Sequence, residues 1–75
     1  MRDQPTVPED PADALAAVGA LRRLAARVED AAVERAVIDG WSWVQIAEAL
    51  GVTRQAAHKK HARRLSAAGH RPGGS

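Results

Sequence analysis

The sequence of 75 residues contains no cysteine, no phenylalanine and no tyrosine, and only two tryptophans. Without cysteine, disulfide bonds and thiolate metal sites are excluded. No apolar run approaches the roughly 20 residues that a membrane-spanning helix needs, and residues 1–5 lack the apolar stretch of a signal peptide. We therefore expect a cytoplasmic protein that forms one domain.

Alternating β-branched and aromatic residues, the pattern of strands, are scarce, whereas alanine is abundant. We therefore predict an all-α fold. After a disordered tail over residues 1–10, Asp10 and Pro11 favour a helix N-cap and a first helical position. From there to Gly40 the chain contains no further proline and a single glycine. The sequence predicts one long helix over residues 11–39.

A second helix start is marked by Ser42 and Gln45, which have the S-x-x-Q spacing of a capping box. In such a box the serine hydroxyl accepts from the third helical N–H, and the glutamine side chain accepts from the N-cap N–H. Trp41 and Ile46 occupy the two apolar positions that flank such a cap. These two signals predict a second helix over residues 42–50.

A third helix is predicted over residues 53–68, with Thr53 as its N-cap. Gly51 permits the left-handed turn that separates it from the second helix. A short helix, a three-residue turn with glycine and a longer basic helix together match a helix-turn-helix over residues 42–68. We predict a second disordered tail over residues 69–75.

Charge is unevenly distributed along the chain. Residues 1–50 hold nine acids and five arginines, a net charge of −4, whereas residues 51–75 hold six basic residues and no acid, a net charge of +6. This asymmetry indicates a polyanionic partner for the C-terminal part, because like charges gathered in one segment favour binding to the opposite charge.

The predicted third helix has residue types suited to double-stranded DNA. Arginine can donate two hydrogen bonds to guanine, and glutamine can pair with adenine in the same way. We expect the base-reading side chains to be Arg54, Gln55, His58 and Lys59, facing outward with Ala62 while Ala57 and Leu65 face inward. We expect phosphate contacts from Ser42, Thr53, Lys60, Arg63 and Arg64.

Residues 43–57 resemble the helix-turn-helix of the homeodomain-like and sigma-factor region 4-like families. Those families share an I-A-x-x-L-G-V-[ST]-R run, which this chain matches from Ile46 to Arg54. The resemblance extends over about residues 33–66, and implies that the residues expected to read bases do so. Ala57 departs from the pattern, because a larger valine or isoleucine is common there.

The predicted first helix carries a second apolar pattern. Its members follow the 4-3-4-3-4 spacing of a coiled-coil seam: Ala14, Val18, Leu21, Ala25, Val28 and Ala32. We call this set the seam. It predicts pairing with a second copy of the chain in a homodimer. The alternative is that the helix bends or breaks and folds its seam onto its own domain.

We therefore predict a DNA-binding transcriptional regulator, without cofactor or small-molecule effector, and not an enzyme. No nucleophile has a base placed for it, and the acids are expected at exposed helix positions. His58, His61 and His70 could bind a metal, but their neighbours are cationic, and we predict no metal site. Two alternatives remain open: an adaptor whose basic helix binds an acidic protein, and a nucleoid-type DNA binder of little sequence preference.

Overall fold

The computed structural model describes residues 7–73, which form three helices and no strand. These are α1 (Pro11–Ile38), α2 (Trp43–Leu50) and α3 (Arg54–Ala67). The prediction of an all-α fold is confirmed. Parts of the two predicted disordered tails, residues 1–6 and 74–75, lie outside the described residues.

Helix α1 begins where the sequence predicted and ends one residue earlier. The Asp10 carboxylate accepts a hydrogen bond from the Ala12 N–H at 2.8 Å, and Pro11 occupies the first helical position, where its missing N–H costs nothing. The helix is continuous through Gly19. At 1.5 Å per residue, its 28 residues span about 42 Å.

The start of α2 has the predicted capping box. The Gln45 N–H donates to Ser42 Oγ at 3.2 Å, and the Ser42 N–H donates to Gln45 Oε1 at 2.9 Å. Trp43 is buried, whereas the other tryptophan, Trp41, is partly exposed and lines an apolar groove with Ile46. The tryptophan that fills the core is therefore the one inside the helix.

The turns after α1 and α2 share one hydrogen-bond pattern. After α1, the Gly40 N–H donates to the Val37 carbonyl and the Trp41 N–H donates to the Ala36 carbonyl. This is the Schellman arrangement, which requires a left-handed residue, and Gly40 has φ +90°. The turn between α2 and α3 repeats it at Gly51, with φ +74°. It reverses the chain within three residues and brings α3 back across α2.

The core is small and lies where the three helices meet. Its apolar members are Val33, Val37, Trp43, Ile46, Ala47, Ala57 and Leu65. Helix α1 contributes two of these residues, both from its last two turns, so residues 11–28 project beyond the domain as an exposed helical arm.

The seam lies on this arm and remains uncovered within one chain. Val18, Leu21 and Val28 are 43%, 64% and 59% exposed. Because α1 stays continuous and its seam faces solvent, the alternative in which the helix folds its seam onto its own domain does not describe this structure. Within residues 7–73, no helix has the length and apolar character needed to cross a membrane.

The predicted C-terminal tail begins with contacts to the domain. The His70 N–H donates to the Leu65 carbonyl at 2.8 Å, and the Gly73 N–H donates to the Trp41 carbonyl at 3.0 Å. The His70 ring lies 3.3 Å from Glu34 of α1. Residues 70–73 therefore run beside the loop that joins α1 to α2.

Candidate functional site

Helix α3 has one buried row and one exposed row on opposite sides. Ala57, His61 and Leu65 lie four residues apart and are at most 1% exposed. A shift of two residues turns about 200° around a helix, so the residues two positions before each of them point away from the core. These are Gln55, Lys59 and Arg63, all exposed, which we call the outer row.

A third row of α3 faces α1 and carries two cations. Lys60 Nζ lies 3.1 Å from Glu29 Oε2, and Arg64 Nη1 lies 3.4 Å from Asp30 Oδ1. The sequence predicted both cations as phosphate contacts. Their nearest charged partners in the structure are acids of their own chain, which neutralise part of their charge.

The fourth row of α3 faces the start of α2. The His58 ring packs edge-on against Trp43, with 5.3 Å between ring centroids. Ala62, predicted to face outward, is instead partly buried against the core. On the helix, Ala62 lies about 100° from the centre of the buried row, at its border toward α2, and the sequence reading counted that border as outward. Arg54 lies at the exposed start of the same row.

The buried side chain of His61 links α1 to α3. Its Nε2 lies 2.6 Å from Glu29 Oε2, and its Nδ1 lies 2.9 Å from Arg64 Nη2. One neutral tautomer satisfies both contacts, because Nε2–H donates to the carboxylate while Nδ1 accepts from the guanidinium. Nδ1 is also 3.6 Å from Asp30 Oδ1. We call these residues, with Lys60, the His61 cluster.

The acids of the His61 cluster differ from the sequence expectation. Glu29 and Asp30 were expected at exposed helix positions, but both are half-buried between α1 and α3. The hydrogen bond from His61 and that from Lys60 hold the pKa of Glu29 below its usual value, against a smaller opposing effect of burial. The sequence offered one signal for His61, since it lies midway between two apolar residues of a helical row.

The predicted base-reading residues lie on two adjacent rows of α3. Gln55 and Lys59 share the outer row with Arg63, whereas Arg54 and His58 share the row beside α2. Among residues 7–73, the ion pairs of the structure engage Lys60 and Arg64 and none engages Arg54, Lys59 or Arg63. The cations that remain available to a partner are therefore those on the outer row and in the first turn.

The two predicted helix-start contacts are already used as caps. The Thr53 hydroxyl accepts from the Ala56 N–H at 3.0 Å, as Ser42 does from Gln45. Each hydroxyl retains its own hydrogen as a donor. A phosphate contact by Ser42 or Thr53 thus stays a prediction that is compatible with the caps.

The three histidines have separate environments: the core for His61, Trp43 for His58 and Glu34 for His70. Over residues 7–73, the structure holds no group of three potential metal ligands. A comparison of the chain with family models, curated proteins and solved structures finds no match.

Proposed function

We propose that this chain binds double-stranded DNA with a helix-turn-helix formed by α2 and α3. In this proposal the outer row of α3 enters the major groove, and Arg54 and Gln55 read bases from the first turn. The function would be that of a sequence-specific transcriptional regulator.

The outer row is the observation that carries the proposal. It places an amide and two cations on the side of α3 that faces away from the core, and no acid lies on α3. Acids of α1 engage the cations of the neighbouring row and leave those of the outer row unengaged. A negatively charged duplex is a partner that fits such a face, because its phosphates supply the missing counter-charge.

Two further features support the helix-turn-helix proposal. The three-residue turn with its left-handed Gly51 is the connection that this motif uses. The run from Ile46 to Arg54 resembles the homeodomain-like and sigma-factor region 4-like families.

We also propose that the protein is a homodimer paired through the seam. Large side chains exposed along the arm favour burial against a partner, and two-fold dimers are the commonest oligomers. Leu21→Asp would place a charge in that interface and should convert the dimer to a monomer in sedimentation. A parent that sediments as a monomer at high micromolar concentration would remove this part of the proposal.

The main test selects bound sequences from a pool of random duplexes and then titrates salt on the selected and a random duplex. A specific regulator enriches one motif, and its affinity for both duplexes falls with salt. Arg54→Ala should cost about 1–3 kcal/mol on the selected site and much less on random duplex. Binding without enrichment would favour the nucleoid-type alternative, and binding to acidic proteins alone would favour the adaptor.

A further inference from the structure

The exposed arm of α1 carries three arginines for which neither the fold nor the proposed function has a role. These are Arg22, Arg23 and Arg27, which lie within six residues and are all exposed. Among the described residues, the ion pairs do not include any of them. Clustered positive charges repel one another, and an anion bound beside them relieves that repulsion.

These arginines lie on the side of α1 that carries α3. A step of seven residues is almost two complete turns of helix, so it returns to nearly the same side. Seven residues after the three arginines come the three acids that contact α3 or its C-terminal extension. Glu29 contacts Lys60, Asp30 contacts Arg64, and Glu34 contacts His70.

Helix α3 crosses the side of α1 that continues into these arginines. Arg27 lines a groove with Arg64, Leu65 and Ala68, which belong to the last turns of α3 and its C-cap. The base of the arm therefore borders the C-terminal half of α3, and Arg22 and Arg23 lie just over one helical turn further along the arm.

We infer that Arg22, Arg23 and Arg27 bind the phosphate backbone of the duplex that α3 reads, just outside the base pairs under α3. This inference rests on the proposed function. Arg63, the last cation of the outer row, lies in the same half of α3 and adds a positive charge there. Guanidinium groups suit phosphate because they are permanently charged and can donate two parallel hydrogen bonds.

The seam does not compete for the same surface. Each arginine occupies a heptad position outside the seam, and the seam residues Leu21 and Val28 adjoin Arg22 and Arg27 without sharing their direction. One arm can thus pair with a second copy on one side and contact phosphates on another.

The test measures affinity against salt concentration on two duplexes. One is trimmed to the selected site, and the other is extended by about one helical turn, roughly ten base pairs, on each side. The triple variant Arg22→Ala, Arg23→Ala, Arg27→Ala should lower the salt slope on the extended duplex by about 2–3. On the trimmed duplex, which lacks the flanking phosphates, the variant and the parent should bind almost alike.

A matched control comes from the same helix. Arg35 is exposed, lies on another side of α1 and pairs with Asp39 within the chain. Arg35→Ala should change the slope on the extended duplex much less than Arg22→Ala. Alanine favours helix, so circular dichroism should show α1 intact in all variants.

The outcomes separate the two proposals. If the parent binds the extended duplex and the triple variant keeps the parent slope, the arginine contact is overturned while DNA binding by α3 stands. An equal loss on both duplexes would also overturn it, because the contact would then not lie in the flanks. If the parent binds neither duplex, the proposed function fails and this inference fails with it.

Discussion

Two neighbouring rows of α3 hold the same pair of residue types in different surroundings. Lys59 and Arg63 lie on the outer row and point to solvent, whereas Lys60 and Arg64 lie one position later and meet the acids of α1. Composition alone gives all four the same role. The orientation of α3 on α1 leaves Lys59 and Arg63 exposed to solvent, whereas it pairs Lys60 and Arg64 with acids of α1.

The largest expected effect comes from His61, whose buried ring contacts both Glu29 of α1 and Arg64 of α3. His61→Ala removes a buried ring and the hydrogen bonds that it makes with Glu29 and Arg64. The loss of packing and of the buried contacts should lower the free energy of unfolding by about 3 kcal/mol. In a domain of this size the melting temperature should fall by more than about 10 °C.

His58→Ala is the control, since His58 is exposed and its ring packs against that of Trp43. Its cost should stay within about 1 kcal/mol. Equal melting curves for the two alanine variants would mean that the His61 cluster does not hold α3 on α1.

The second prediction compares the two rows directly in DNA binding. The double variant Lys59→Ala, Arg63→Ala should lower the salt slope by about two on both the selected and the random duplex. The double variant Lys60→Ala, Arg64→Ala should change the slope by less than one, because acids of α1 already neutralise both cations. Affinity titrations in several salt concentrations measure this, with circular dichroism to show that each variant is folded.

If the two double variants lose the same slope, the ion pairs with α1 give way when DNA binds. The distinction between the rows would then hold for the free protein alone, and the sequence-based assignment of all four cations to DNA would be supported.

The features that the sequence predicted correctly depend on contacts between residues close in the chain, and those it missed depend on contacts between distant residues. The capping box of Ser42 and the left-handed Gly51 depend on hydrogen bonds between residues at most five apart, so their spacing alone predicted the starts of α2 and α3. The contact between His61 and Glu29 joins residues 32 apart in the chain. The apolar residues Val33 and Val37 indicate which side of α1 meets the other helices, and both are buried. No local pattern specifies which polar side chains border that contact, and the half-buried acids were therefore missed.

The third prediction uses pH to weaken the contacts between α1 and the row of Lys60 and Arg64, while leaving the outer row unchanged. Folding lowers the pKa of Glu29, chiefly through the hydrogen bond from His61. Such a carboxylate stabilises the fold above its unfolded pKa, and this contribution is lost as pH falls through the lower folded value. Melting temperature should therefore decline below about pH 4.5.

Glu29→Gln isolates this effect, because the amide keeps the size of the side chain and does not titrate. The difference in melting temperature between parent and variant should be largest at neutral pH and shrink as pH falls below about 4. A difference that stays constant from neutral to acid pH would contradict the link between the Glu29 charge and α3.

The smallest expected effect concerns Lys60, whose side chain is 60% exposed while that of Glu29 is 25% exposed. Solvent screens such a pair, so Lys60→Ala should lower the free energy of unfolding by no more than about 0.5 kcal/mol. Lys59→Ala should change it by even less, since Lys59 has no ion pair within residues 7–73 to lose. Urea unfolding of the two variants at low and at high salt measures the difference between them. It should vanish at high salt, because screening weakens exposed ion pairs. A difference that persists at high salt would mean that the aliphatic stem of Lys60 packs on α1, so that contact rather than charge distinguishes the two rows at this position.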